Sequence, residues 1–220
     1  MQYYIRLIFI FIIPLFINTT IKAKAFETTD SIPNKKNVDV INRNIQIIES
    51  NRSYENDSIL KLALETLDLS ANIQYAKGMS LCYKNIGNFF SNKNMNDSAV
   101  YYYEKGLNIA KLEDLYEMQS IFYWSLANLY RVTGNYGIAL EYSLSCKELV
   151  ENNKTDRYQY QIYNLLALSY QTLMEYELAL QNYQRSAGMA MEEGNESYAG
   201  VIYSNIGKLY YDQDSLEKAL

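Results

Sequence analysis

Histidine is missing from the 220 residues. Ser-His-Asp and Cys-His catalytic groups, imidazole metal ligands and a phospho-accepting histidine go with it. Proline occurs twice, as Pro14 and Pro33, so from Asn34 onward nothing carries the residue that most reliably breaks a helix. A long helical array is permitted. Two cysteines, Cys82 and Cys146, make no disulfide framework and are expected as small buried thiols. No glycine-rich phosphate loop, CxxC pair or other metal-ligand cluster is present, so neither a metal nor a cofactor is expected.

What is present is apolar and aromatic: 49% hydrophobic residues, 14% aromatic, 23 tyrosines and a single tryptophan, Trp124. That is enough to build a core and excludes a disordered tail. The formal net charge is -5, and loss of Arg6, Lys22 and Lys24 with the first 25 residues would take it to -8. A mildly acidic chain carries no electrostatic footprint for nucleic acid, which is not an expected partner.

After Arg6, residues 7–17 form an apolar run of signal-peptide length, too short to span a bilayer comfortably. Ala23-Lys24-Ala25 follows with the A-x-A form of a signal-peptidase site, so residues 1–25 read as a signal peptide with Phe26 as the mature N-terminus. An uncleaved anchor is the competing reading. Either makes the rest extracytoplasmic, periplasmic or membrane-anchored facing the periplasm, and membrane contact is expected only through such an anchor or a later span. Residues 26–39 read as an unstructured lead-in.

Self-similarity then dominates. Tyr83, Tyr123, Tyr163 and Tyr203 fall 40 residues apart, as do Ile86, Leu126, Leu166 and Ile206; Gly87, Ala127, Ala167 and Gly207; Phe90, Tyr130, Tyr170 and Tyr210; and Ala99, Ala139, Ala179 and Ala219. Five columns in one register exceed what composition supplies. Steps of 3, 4 and 7 from the tyrosine mark one face of a helix. Asn96-Asp97-Ser98, and Gly134-Asn135 one repeat on, offer capping and turn residues before a second helix. Each unit therefore reads as helix, turn, helix, with the small residues letting two backbones approach closely.

This pattern resembles the tetratricopeptide repeat: Tyr83, Ile86, Gly87, Phe90, Ala99 and Tyr103 match it in one unit, and Tyr163, Leu166, Ala167, Tyr170, Ala179 and Tyr183 in another. Ser143 departs from it at the last aromatic position, the closing proline is absent, and the period exceeds the usual one by about six residues. The chain is thus similar to the family's longer-repeat branch, over roughly Ile41 to Leu220. The resemblance implies an all-α fold, a right-handed superhelical solenoid. Its expected divisions are a degenerate capping repeat over 40–79, repeats over 80–119, 120–159 and 160–199, and an incomplete repeat over 200–220. In that last unit Asp214-Ser215 would open a second helix, and the natural chain is expected to continue.

The resemblance also implies a concave face lined by first helices, where extended peptides dock. Candidate partner-binding residues on it are Lys84, Asn88, Trp124, Asn128, Gln161, Asn164, Leu168, Ser204 and Lys208. Trp124 serves either as an interface anchor or as a gap filler. Lys84 and Asn88 resemble part of the carboxylate clamp of chaperone cofactors in this family, but Ser125, Gln161 and Leu165 stand where the clamp needs an amide and two basic groups. No catalytic residue is expected: acidic pairs such as Glu113-Asp114 and Glu192-Glu193 read as solvated helix ends, and the column tyrosines as core. The expected function is non-catalytic protein or peptide binding. Exported repeats of this length resemble the input regions of bacterial membrane sensors; a free periplasmic scaffold or assembly factor is the alternative.

Overall fold

A computed structural model describes residues 35–51, 56–152, 154–156 and 158–219, with side chains as far as Asp214. The signal-peptide assignment and residues 26–34 of the lead-in lie outside the described residues. In order, the helices are α1 (Lys35–Ser50), α2 (Asp57–Asn72), α3 (Ala76–Asn92), α4 (Asn96–Leu112), α5 (Tyr116–Val132), α6 (Tyr136–Glu151), α7 (Gln159–Thr172), α8 (Tyr176–Glu192) and α9 (Glu196–Ala219). Each packs on the next, and each of α1, α3 and α5 also touches the helix two further on. The described residues form an all-α helical repeat solenoid.

The backbone repeats every 20 residues. Helices begin at Ala76, Asn96, Tyr116, Tyr136, Tyr176 and Glu196, and one residue per corner takes a left-handed φ: Gln74, Asn94, Asp114, Gly134, Met174 and Gly194. At each corner the N–H of the next residue bonds a carbonyl five positions back, as in Met95 to Phe90 (2.9 Å) and Leu115 to Ala110 (2.9 Å). The left-handed residue itself bonds three back, as in Asn94 to Ser91 (3.0 Å). This is the Schellman closure. Its last residue also starts the next helix, because Ala99 N–H bonds the Met95 carbonyl (3.0 Å). The long period therefore comes from longer helices on three-residue corners, not from longer connectors.

Three local expectations need correction. Asn96-Asp97-Ser98 and Asn135 do not cap: α4 starts at Asn96 after Met95, and neither Met95 nor Asn135 makes a side-chain cap bond. The corner's backbone bonds already satisfy the helix ends, leaving no work for a side chain; Asn56 before α2 does cap, accepting from Ser58 N–H at 2.9 Å. Next, α1 begins at Lys35, inside the expected lead-in, because Ile41, Ile45 and Ile48 give it a buried face that pulls the preceding turn into the helix. Last, α9 runs unbroken to Ala219 instead of turning at Asp214. Continued helix hydrogen bonds there outweigh the cost of placing a residue in the left-handed region.

Through Ala179 the aliphatic and small-residue columns form the core, but the column tyrosines, expected as core, belong to it only in part: Tyr83, Tyr123, Tyr130 and Tyr170 are half-buried, and Tyr203 and Tyr210 are more than half exposed on α9. Ile86, Leu126, Leu166, Ala127, Ala167, Ala99, Ala139 and Ala179 are buried, and Tyr163 and Tyr183 are almost wholly enclosed. Phe90 stacks on Tyr102 (5.2 Å) and Tyr130 on Tyr142 (5.8 Å), the same pairing one repeat apart. Further columns vary in residue type and were hidden by that variation: Cys82, Phe122, Ile162 and Ile202 are fully buried, as are Thr66, Cys146 and Ser186 beside buried Gly106. Both cysteines are free.

Candidate binding groove

Between the first helices α3 and α5 opens a groove of about 620 Å³. Asn88, Ser91 and Asn92 reach it from α3, Asn94 and Asn96 from the corner beyond, and Trp124, Ser125 and Asn128 from α5. Leu129 and Val132 add apolar surface, and Tyr103, Thr133 and the asparagines give hydroxyls and amides. No lysine, arginine, aspartate or glutamate lines it, although such residues are 20% of the chain.

Local structure positions these groups. The Tyr103 hydroxyl donates to Asn88 Oδ1 at 2.7 Å, and Arg131 Nη2 donates to Asn128 Oδ1 at 3.0 Å. Arg131 Nε is buried and has no hydrogen-bond partner among the described residues. Trp124 is half-buried, its ring stacked on Tyr158 with centroids 5.1 Å and planes 11° apart. Tyr158 holds a left-handed φ of 62° in a corner that departs from the 20-residue cadence, since α7 starts at Gln159 instead of at 156. The ring contact with Tyr158 fills a gap as one of the two readings expected, and Trp124 also borders the groove.

Of the nine residues the sequence singled out, Asn88, Trp124 and Asn128 come together here. The other six do not line this groove. Lys84, one turn before Asn88, is paired with Glu49 of α1. Asn164 Nδ2 donates to the Tyr198 hydroxyl (3.1 Å) and its Oδ1 accepts from Asn205 (3.3 Å), tying α7 to α9. Leu168 packs against the core around Tyr183, Gln161 is half-buried on α7, and Ser204 and Lys208 are exposed on α9. Sequence reasoning missed Ser91, Asn92, Asn94, Asn96, Ser125 and Thr133. The alternating asparagines at 92, 94 and 96 were a visible signal, of which only Asn96 was considered, and only as a capping residue.

Burial sets the remaining electrostatics. It pushes the Cys82 and Cys146 thiols and the Tyr83, Tyr142 and Tyr163 phenols up to about 12. Among the described residues no three or more Cys, Asp or Glu side chains stand where they could hold a metal, and no helix is long and apolar enough to cross a membrane.

No family model and no curated protein sequence matches the chain. Solved structures do. BtubC (BKLC) from P. vanneervenii is similar over 80% of this chain and 81% of its own, with a TM-score of 0.57 and 14% identity. MamA of RS-1, solved as an ArsTM double mutant, is similar over 81% of this chain and 97% of its own, with a TM-score of 0.50 and 14% identity. At that identity the likeness is one of fold, an all-α helical repeat solenoid.

Proposed function

We propose that this chain is a non-catalytic interaction module that is exported and binds a segment of another protein in the groove between α3 and α5. The observation that supports it is the side-by-side setting of first helices with Trp124, Asn88 and Asn128 at one opening. A half-buried, ring-stacked tryptophan among amides contributes contact area at little entropic cost, as interface anchors do. The finer reading is the extracytoplasmic input region of a bacterial membrane regulator. A free periplasmic scaffold would use the same groove and is distinguished by where the protein resides.

Photo-crosslinking tests the binding claim: a benzophenone side chain at Ser125, in the groove, is compared with one at Leu144, exposed on α6. A protein adduct at Ser125 and none at Leu144 is the expected result; equal labelling would end this reading. The intact mass of the exported chain, starting at Phe26, tests cleavage after Ala25. Resistance to carbonate extraction from membranes separates the sensor from the scaffold.

A further inference from the structure

We propose that what the groove recognises on its protein partner is an uncharged sugar carried by the bound segment, an inference that rests on the reading above and adds the chemical class. The gap between α3 and α5 is open because the residues that bridge the equivalent gap further along are replaced. Between α7 and α9, Gln171 Nε2 donates to Asp212 Oδ2 at 2.9 Å and Asn205 Nδ2 to Asn164 Oδ1 at 3.3 Å. Two repeats earlier, Ser91 and Val132 stand where Gln171 and Asp212 would, and Lys84 and Ser125 where Asn164 and Asn205 would. Serine is too short for the bridge, valine has no polar atom, and Lys84 turns away to Glu49 on α1.

The lining that results carries both senses of hydrogen bond. The side chains of Asn92, Asn94, Asn96 and Ser125 have no partner among the described residues, so each amide offers donors and an acceptor, and the hydroxyl offers both. Asn88 and Asn128 are held in orientation by Tyr103 and Arg131. A sugar ring matches such a lining. Its hydroxyls radiate from the rim and each donates and accepts, while the C–H groups of its face pack on an aromatic ring. Trp124, fixed against Tyr158, brings that ring to the groove. The volume of about 620 Å³ lies within the roughly 300–1,000 Å³ of small-molecule sites.

Charge and shape disfavour the competing ligands. No formal charge lines the groove, so the carboxylate of an acidic sugar or a charged peptide side chain would leave water with nothing to compensate it. A bare extended peptide depends on pockets for its side chains. Leu129 is almost fully enclosed and Val132 is largely exposed, so the two aliphatic residues of the lining frame no deep pocket for an anchor.

The test uses the full chain, read by Trp124 emission and by calorimetry. A blocked, uncharged, threonine-centred peptide is compared bare, carrying a hexose, an N-acetylhexosamine or a deoxyhexose, and carrying a sialylated sugar; free chitohexaose and maltohexaose complete the set. The expected result is that a neutral glycopeptide binds at least about tenfold more tightly than the bare peptide, with an affinity that changes less than about twofold between roughly 50 and 500 mM salt. Ser91→Gln with Val132→Asp, which rebuilds the bridge seen between α7 and α9, should abolish that gain. Asn92→Ala with Asn96→Ala, whose side chains hold nothing in the fold, should weaken binding roughly tenfold with the melting temperature unmoved. Lys61→Ala, on the exposed surface of α2, should change nothing. A bare peptide that binds as tightly as its glycosylated forms, or a preference for the sialylated form that collapses with salt, overturns this inference and leaves the peptide groove standing. So does silence from every sugar while the Ser125 crosslink still forms. Binding of free sugars without any glycopeptide, glycopeptide binding unmoved by both groove variants, or silence in both assays overturns both.

Discussion

Glycines at one repeat position show how neighbours decide what a residue is for. A Cβ on Gly87 would sit 2.4 Å from the ring of Tyr103, and that ring is buried and hydrogen-bonded to Asn88, so it has nowhere to go. Gly207, three repeats on, has open space around it. Gly87→Ala should therefore destabilise the fold by about 1–3 kcal/mol through overpacking, whereas Gly207→Ala should stabilise it by about 1 kcal/mol through helix propensity; paired urea titrations check both. Left-handed corners give the converse. Met174 holds φ 62° where a side chain is strained, and Met174→Gly should raise stability by up to about 1 kcal/mol, while Gly134→Ala at φ 84° should lower it by a similar amount.

The buried thiols make a second prediction at this scale. Both are pushed from 9.0 to about 12 by desolvation, which disfavours the thiolate. Between those values the native state keeps protons that the unfolded chain releases, so their stabilising contribution is full below pH 9 and is lost as pH rises towards 12. Tyr83, Tyr142 and Tyr163, raised from 10.0 to about 12, act in the same direction just above. Urea midpoints should fall steadily above pH 9, and a disulfide reagent at pH 8 should label neither cysteine until the chain is unfolded.

Among the corners from α2 onward, the one before α7 departs from the rest. At the others three residues close a Schellman turn and open the next helix; here α6 closes with Lys154 N–H on the Leu149 carbonyl (2.9 Å), and the chain then runs on to Gln159 before α7 forms. Tyr158, in that added length, is what stacks on Trp124. Tyr158→Ala should free the tryptophan ring, increasing its acrylamide quenching at least about twofold, and should shift the melting temperature by only a few degrees because one exposed-edge stack contributes about 0.5–1.5 kcal/mol. Surface ion pairs such as Lys93 with Asp57 (3.1 Å) link neighbouring helices but add little, since exposed pairs contribute roughly 0–1 kcal/mol.

At the scale of the whole molecule, stability follows from stacking. Helices α3 to α8 have neighbours before and after them, whereas α9 leaves Val201, Tyr203, Tyr210 and Tyr211 more than half exposed. The face that Tyr103 and Tyr183 cover in earlier units stays open at Gly207. Such arrays are held by nearest-neighbour contacts, so amide exchange should be slower in α4 and α5, packed on both sides, than in α9, whose Val201, Tyr203, Tyr210 and Tyr211 are exposed. Uniform protection along the chain would contradict a nearest-neighbour solenoid.

The helical class and the helix faces were legible in the sequence because packing one helix on its neighbour demands the same residue kind at the same step each time, as buried Ile86, Leu126 and Leu166 show. The 20-residue half-period was not, since the corners are closed by backbone bonds that Gln74, Asn94, Asp114 and Met174 all permit, leaving no common side chain to read. Nor could the sequence select Asn88, Trp124 and Asn128 from nine candidates on first helices. That selection belongs to the tertiary structure: the groove opens where α3 and α5 meet, and its amides and tryptophan are held by Tyr103 from α4, by Tyr158 from the corner before α7 and by Arg131 one turn along α5.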